Sequence, residues 1–405
     1  MSRFWRALPP RGKLGILFGS WYTAPILHRV LEDGPTAELD QDIGRIERFE
    51  RMLGDEGVAL VKFWFHLSKR DQKHRLQALE AKSRTRWRVT KEDWRRYKMY
   101  DTFRSVSEHT LRKTSTANAP WTVIEGLDPC YRSLSAGRQL LQVLRHRLDA
   151  PQFTARRIAA APVIPATDHR NVLDALDLSK GMGKDNYLEK LEKEQGRLNL
   201  LARSARFRDH AVLAVFEGMD AAGKGGAIRR VTQALDARHY SVIPFAAPTD
   251  DERRQPYLWR FWRHLPRRGN FTLYDRSWYG RVLVERVEGF CAEADWLRAY
   301  SEIIDFEEQL VRHGVVVVKF WLQIDKAEQM RRFKERQSIE YKRHKITAED
   351  WRNRKKWAAY QQAAADMIEC TSTELAPWTM VEANDKHHAR IKILRSLSNA
   401  IEKVG

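Results

Sequence analysis

The chain has little cysteine, a shortage of acid against base, and no long apolar run. Its three cysteines, Cys130, Cys291 and Cys370, lie far apart with no C-x-x-C spacing. Neither a disulfide framework nor a zinc site is indicated, and a reducing cytoplasm is the expected setting. The opening MSRFWRALPPRGKLGILFGSW is basic, but its apolar run is short and broken by Gly15. That is too little for a signal peptide or a membrane span, so a soluble chain is expected. The shortage of acid leaves a formal charge of +19, from 72 Lys and Arg against 53 Asp and Glu. Such an excess attracts polyanions, whether nucleic acid, anionic lipid or a phosphate-rich small substrate. Charge alone does not choose among them.

What is present is first of all a repeat. FWRALPPRG at Phe4 returns as FWRHLPRRG at Phe261, Ser20-Trp21-Tyr22 as Ser277-Trp278-Tyr279, and VKFWF at Val61 as VKFWL at Val318. TKEDWR at Thr90 returns as TAEDWR at Thr347, and APWTVIEGLD at Ala119 as APWTMVEAND at Ala376, always 257 positions apart. A gapless match of this length marks a tandem duplication, in keeping with a 405-residue chain too long for one growing core. The second copy opens near Asp185 with a helical stretch and a strand, whereas Met1 aligns with Leu258, so the first copy is N-terminally incomplete. Either that half-domain survives by packing on its neighbour or the true start lies upstream. The expected layout is a first copy over 1–150, a Pro- and Ala-rich linker over 151–184, and a complete copy over 185–405.

In the second copy, AVLAVF (211–216), SVIPFA, FTLYD, VVVVKFWLQI and PWTMVEA are strand-like apolar runs separated by helix-length segments. Alternation of this kind implies an α/β fold, a parallel sheet covered by helices on both faces. Thr347 has the position of an N-cap for AEDWRNRKKWAAYQQAAADMI, with Asp350 in the first turn.

Gly218-Met-Asp-Ala-Ala-Gly223-Lys224 fits G-x-x-x-x-G-K between a strand and a helix, the context of a P-loop. Backbone N–H groups of such a loop close around phosphate oxygens and the lysine adds a mobile charge. Gly225 stands where a nucleotide-binding P-loop has a Ser or Thr ligand for magnesium, so Mg²⁺ would need other oxygens. Asp220 in the loop and Asp275 at the end of FTLYD are the candidates, the latter as a Walker-B-like carboxylate. Arg276 and Arg281 flank Ser277-Trp278-Tyr279, and guanidinium forks suit phosphate. Trp278 and Tyr279 serve equally well as core or as a base-stacking platform. The run Met330–Lys345, with Arg331, Arg332, Lys334, Arg336, Lys342, Arg343 and Lys345, falls where a lid (330–357) would close over a donor.

GMDAAGKGG, YDRSWYGR and this basic run together resemble the polyphosphate kinase 2 family, and the duplication resembles its two-domain branch. The resemblance implies a P-loop kinase-like fold and phosphoryl transfer from inorganic polyphosphate to a nucleotide, AMP first, ADP or GDP as the alternative. It implies Asp220 and Lys224 as the key P-loop residues, Asp275 and Arg276 as the Walker B pair, and Arg332, Arg336 and Lys345 in the lid. Gly218, Gly223, Gly225, Gly226, Arg281, Lys342 and Arg343 complete the expected phosphate-binding set, with Asp220 and Asp275 on Mg²⁺. His344 departs from the Trp-Lys pair frequent in family lids, and the first copy has Trp87-Arg88 there. An ATP-dependent P-loop kinase would carry Ser or Thr after Lys224, and a non-enzymatic polyanion binder would leave Asp220 and Asp275 without a purpose. No nucleic-acid or membrane partner is expected, and a homo-oligomer is compatible with the sequence. The first copy replaces Asp275 by Phe18, Arg276 by Gly19, Arg281 by Ala24, Arg336 by Leu79 and Lys342 by Thr85, yet keeps Trp21, Tyr22, Trp64, Trp94 and Trp121. The expectation is a copy that kept its fold and lost its chemistry.

Overall fold

A computed structural model describes residues 2–149 and 171–403, which fall into two compact units, 2–149 with 254–257, and 171–253 with 258–403. Unit 1 contains α1 (Ser2–Ala7), α2 (Thr23–Leu31), α3 (Thr36–Asp55), β1 (Lys62–His66), α4 (Lys69–Ala81), α5 (Lys91–Lys98), α6 (Tyr100–Thr114), β2 (Trp121–Glu125) and α7 (Pro129–Asp149). Its two strands form a parallel pair.

Unit 2 contains α8 (Lys184–Arg203), β3 (Ala211–Gly218), α9 (Lys224–Thr232), β4 (Tyr240–Pro244), α10 (Asp250–Arg253), α11 (Trp259–Trp262), β5 (Phe271–Asp275), α12 (Val284–Glu288) and α13 (Glu293–Arg312). It continues with β6 (Val315–Gln323), α14 (Lys326–Ser338), α15 (Ala348–Lys355), α16 (Trp357–Thr371), β7 (Trp378–Glu382) and α17 (Lys386–Glu402). The five strands are all parallel in the order β4-β5-β3-β6-β7. β3 is central and buried from Ala211 to Glu217, which is why its sequence is a nearly unbroken apolar run rather than an alternation. Helices α8, α9 and α17 pack together beside the sheet, and α12, α13 and α16 form a second group. Of the expected linker, 151–170 lie outside the described residues, while 171–183 belong to unit 2: Leu173 is buried and Lys180 reaches Glu382 at 2.9 Å. Among the described residues no helix is long and apolar enough to cross a membrane.

The sequence repeat is a structural one. Moved by 257 residues, α3, α4, α5 and α6 coincide with α13, α14, α15 and α16, and Lys62 opposite Trp121 becomes Lys319 opposite Trp378. Each unit closes on the same buried cluster. In unit 2, Lys319 Nζ donates to Glu307 Oε2 (2.8 Å), Tyr279 Oη (2.9 Å) and the Thr371 carbonyl (2.8 Å). Glu307 Oε1 accepts from Tyr279 Oη (2.6 Å) and Trp278 Nε1 (3.1 Å). In unit 1, Lys62 makes the same three contacts with Glu50, Tyr22 and Thr114 at 2.7, 3.1 and 2.7 Å, and Trp21 and Tyr22 donate to Glu50. Trp278 and Tyr279 are therefore core, fully buried, and not a stacking platform. A buried ion pair persists only when each of its polar atoms is matched, which is why Ser-Trp-Tyr outlasted the charged residues around it.

Unit 1 has no counterpart of β3 or β4 among its described residues, so the segment matching β5 has no described strand to pair with. In unit 2, β5 is hydrogen-bonded on one side to β4 and on the other to β3. The matching residues Leu14 to Phe18 have neither neighbour, form no strand, and leave Leu14, Ile16 and Phe18 exposed at 53%, 84% and 106%. Apolar residues of strand type cannot hold extended structure when the backbone has no ladder to join.

Candidate active site

The chain leaves β3 for α9 and β4, returns to β5 between β4 and β3, and then crosses to β6 on the other flank of β3. β3 is thus the point where strand order reverses, and its carboxyl end opens a crevice. The P-loop fills that end. Gly218 has φ +148°, and a Cβ there would lie 2.5 Å from the Leu322 carbonyl oxygen, so no other residue fits. Gly223, with φ +109°, turns the chain into α9, whose N-terminal amides face the crevice. Lys224 Nζ lies 2.7 Å from the Gly218 carbonyl. A Cβ on Gly225 would meet nothing within 4 Å, so glycine at the usual Ser or Thr position is not a steric requirement.

Beside the P-loop, β5 ends at Asp275, and Arg276 follows in a left-handed conformation, φ +65°. Its N–H still donates to the Phe216 carbonyl at 3.1 Å, so the strain sits in a turn that is tied to the central strand. Strain of this kind in a non-glycine residue is characteristic of functional turns. The Arg276 guanidinium lies 3.5 Å from Asp220 Oδ1, and Asn353 Nδ2 donates to Asp220 Oδ2 at 2.8 Å. Below them Glu217 is fully buried and accepts the Ser277 hydroxyl at 2.9 Å. Burial pushes its carboxyl upward, against the pull of Lys224.

A cavity of about 740 Å³ gathers Asp220, Lys224, Asp275, Arg276, Arg336 and Lys345, with Gly223, Gly225 and Gly226 in its wall. A second cavity, about 260 Å³, shares Gly223, Gly226, Arg336 and Lys345 with the first and adds Lys342, Lys386 and Arg390. The expected lid is α14, a 3₁₀ segment over Glu340–Lys345, and α15, with Asp350 accepting the Thr347 N–H at 2.8 Å.

Of the expected phosphate ligands, Arg281 and Arg343 line neither cavity, while Arg332 lines the second with its donors already engaged. Arg332 is buried and uses all five of its N–H groups internally, on Glu328 and on the carbonyls of Ala221, Ala222, Ala383 and Asn384 at 2.5–2.9 Å. It buttresses the P-loop backbone and has no donor left for phosphate. Arg281 pairs with Glu285 at 2.8 Å and lines neither cavity. Arg343 is exposed, donates to the Gln337 carbonyl at 3.0 Å, and also lies outside both. The motifs in turn missed Arg229, Arg230, Asn353, Lys386 and Arg390, all of which line a cavity. A signal existed: Asn353, Lys386 and Arg390 match Arg96, Pro129 and Ser133 of the first copy, the same divergence that singled out Asp275. Lys386 is held below the usual lysine range by burial and by the nearby Arg332.

For a divalent cation the donor set is sparse but chemically apt. Among the described residues no group of three His, Cys, Asp or Glu could hold an ion by itself. Asp220 and Asp275 do line one cavity, and Mg²⁺ commonly takes one or two carboxylates and completes its shell with water and substrate phosphates.

A sequence profile of Polyphosphate kinase 2 matches residues 1–151 and again 181–404. The chain belongs to the polyphosphate kinase 2 family. Two matches on one chain also establish the duplication within this polyphosphate kinase 2 protein. It is 58% identical over 400 residues to a Pseudomonas aeruginosa protein named polyphosphate:AMP phosphotransferase, covering 99% of this chain and 81% of that one. A protein of the same name from Acinetobacter johnsonii is 41% identical, over 97% of this chain and 80% of its own. A crystal structure titled as a putative polyphosphate kinase 2 from Pseudomonas aeruginosa superposes with a TM-score of 0.87 at 55% identity, over the whole of this chain and 80% of that one. An ADP-polyphosphate phosphotransferase of Pseudomonas aeruginosa matches 53% of this polyphosphate kinase 2 chain at 39% identity.

Proposed function

We propose that this protein transfers the terminal phosphoryl group of inorganic polyphosphate to AMP, giving ADP and a chain shortened by one phosphate. The observation that carries the reading is the pair of basic cavities meeting at one P-loop, room for two phosphate-bearing substrates whose reacting ends meet at Gly223. The near-full-length relatives named polyphosphate:AMP phosphotransferase support AMP as acceptor. An oxygen of the AMP phosphate attacks the terminal phosphorus in line, and the bond to the bridging oxygen breaks with its electron pair going to the shortened chain. Phosphoryl transfer asks the protein for positioning and charge neutralisation rather than covalent chemistry. Lys224 and Arg276 neutralise the transferring group, Arg336, Lys342 and Lys345 hold the polyanion, and Asp220 orients the acceptor. Mg²⁺, when bound, would be held by Asp220 and Asp275 and would supply further neutralisation of phosphate charge. Unit 1, with Phe18 and Gly19 in place of Asp275 and Arg276, is assigned a structural role.

The test is to incubate the purified protein with magnesium, polyphosphate and each of AMP, ADP, GMP and GDP, and to separate the products. ADP formed from AMP is expected, with none when polyphosphate is omitted; ATP serving as donor without polyphosphate would instead mark an ordinary nucleotide kinase. Lys224→Ala and Asp220→Asn should each lower turnover by about 100-fold or more. Near-normal turnover in either variant would refute the assignment. The ADP and GDP arms address the second reading, favoured by the half-length match to an ADP-polyphosphate phosphotransferase.

A further inference from the structure

Outside every motif, three side chains form a line that ends on Asp220. Glu288, 5% exposed, accepts from Lys356 Nζ at 3.1 Å and forms an ion pair with Arg352 at 3.2 Å. The Tyr360 hydroxyl lies 3.4 Å from Glu288 Oε1 and 3.2 Å from Asn353 Oδ1, and Asn353 Nδ2 donates to Asp220 Oδ2 at 2.8 Å. We propose that Asn353 is a positioning residue for phosphoryl transfer: it fixes the Asp220 carboxylate in the P-loop, and Tyr360 fixes Asn353. The proposal rests on the polyphosphate-dependent reaction given above.

The direction of the amide follows from its partners. An ionised carboxylate can only accept, so Asp220 must face the NH₂ end of Asn353, which leaves Oδ1 as acceptor; the single Tyr360 proton serves two acceptors, and the shorter contact is to Asn353 Oδ1 at 3.2 Å rather than Glu288 Oε1 at 3.4 Å. Arg276 faces the other oxygen of Asp220, so the carboxylate is gripped on both sides and its plane is set. Asn353 stands on α15, directly after the lid turn, so this bond also ties the lid to the phosphate-binding loop.

The duplication provides an internal comparison. In unit 1, whose described residues include no counterpart of Asp220, Asn353, Tyr360 and Glu288 are matched by Arg96, Phe103 and Leu31, none of which can continue the line, while the adjacent Glu349, Asp350, Trp351 and Arg352 keep their identities as Glu92, Asp93, Trp94 and Arg95. A residue needed only for packing α15 would be expected to survive with those neighbours. This one changed together with the chemistry.

Three variants of the full chain test the role. Asn353→Ala should lower kcat for ADP formation by about 10- to 100-fold, the usual cost of removing a group that orients a site residue, with KM for AMP and for polyphosphate within about twofold of wild type. Asn353→Asp has the same shape but no N–H, so it should lose at least as much; Tyr360→Phe, which leaves the ring packed, should lower kcat severalfold at unchanged KM. Circular dichroism and thermal unfolding establish that each variant is folded. An Asn353→Asp protein with full kcat would reduce Asn353 to a packing role, and a raised KM at unchanged kcat would make it a substrate contact; either result overturns the proposal. A wild type that forms no ADP from polyphosphate would overturn the reaction assignment itself, which this comparison keeps separate.

Discussion

Replacing Lys319 by Met removes the positive partner from a site with no access to water: the side chains of Lys319 and Glu307 are 0% and 2% exposed. Removing one member of a buried pair generally costs about 3–5 kcal/mol, because a charge is left uncompensated. The structure sets a ceiling on that cost. Glu307 is already pushed upward from its ordinary 4.5 by burial, so the variant can escape by protonating it. At about pH 7.5 this neutralisation costs at most about three units at 1.4 kcal/mol each, roughly 4 kcal/mol, and at about pH 5.5 only about 1.4 kcal/mol. Tyr279 and Trp278 remain to hydrogen-bond the acid, so little is added beyond the orphaned Thr371 carbonyl. The expected destabilisation is therefore about 3–4 kcal/mol at pH 7.5, shrinking by half or more at pH 5.5. Urea unfolding of wild type and Lys319→Met, followed by tryptophan fluorescence at both pH values, measures it. A loss below about 1 kcal/mol at pH 7.5, or the same loss at both, would refute the reasoning. Trp278 and Tyr279 also anchor the turn that carries Asp275 and Arg276, so turnover should fall alongside stability.

Gly218→Ala should cost several kcal/mol, since its Cβ would collide with the Leu322 carbonyl at 2.5 Å, whereas Gly225→Ser, with open space around it, should unfold at the wild-type temperature; equal melting temperatures for the two variants would show that the P-loop backbone can shift. Glu382 is buried, which alone would raise it, but Lys392 at 2.6 Å and Lys180 at 2.9 Å hold it down at about 2 against an ordinary 4.5. Its folded value is depressed, so its contribution is complete above pH 4.5 and disappears as the pH falls towards 2; Glu382→Gln should melt below wild type at pH 6 and converge with it in acid, and parallel curves would contradict this. Phe18→Asp with Gly19→Arg should add no turnover to an Asp275→Asn background, because among the described residues no P-loop and no strand paired to that segment accompanies them in unit 1; any recovery of ADP formation would disprove the structural role given to that unit.

The parallel sheet was legible because β3 and β6 are buried on both faces and their sequences say so without alternation, and the P-loop because only glycine tolerates the backbone at Gly218 and Gly223. The duplication was legible from aromatic residues that a buried ion pair holds in place. What sequence could not settle was the destination of each arginine. Arg332 and Arg336 sit one helical turn apart in the same basic run, and only the fold sends one inward to five internal acceptors and the other to the cavity rim. Lys386 and Arg390 went unnoticed because they belong to a helix distant in sequence from any motif. The absence of a strand at 14–18 could not be read locally either, since LGILF is as apolar as FTLYD; what differs is that no strand among the described residues pairs with it.

The identity of the two buried clusters bears on how the chain must be made. β1 and β2 share the register of β6 and β7, and Lys62 or Lys319 would find the same Glu, Tyr and Thr partners in either half, so the unfolded polypeptide offers each strand a correct and an exchanged mate. Ribosomal synthesis separates the choices: at about 5–20 residues per second, matching segments 257 positions apart emerge roughly 13–50 s apart. The first pair can close before its competitor exists. Dilution from denaturant presents all four strands at once, and the duplication that preserved the core then becomes a source of hybrid pairing.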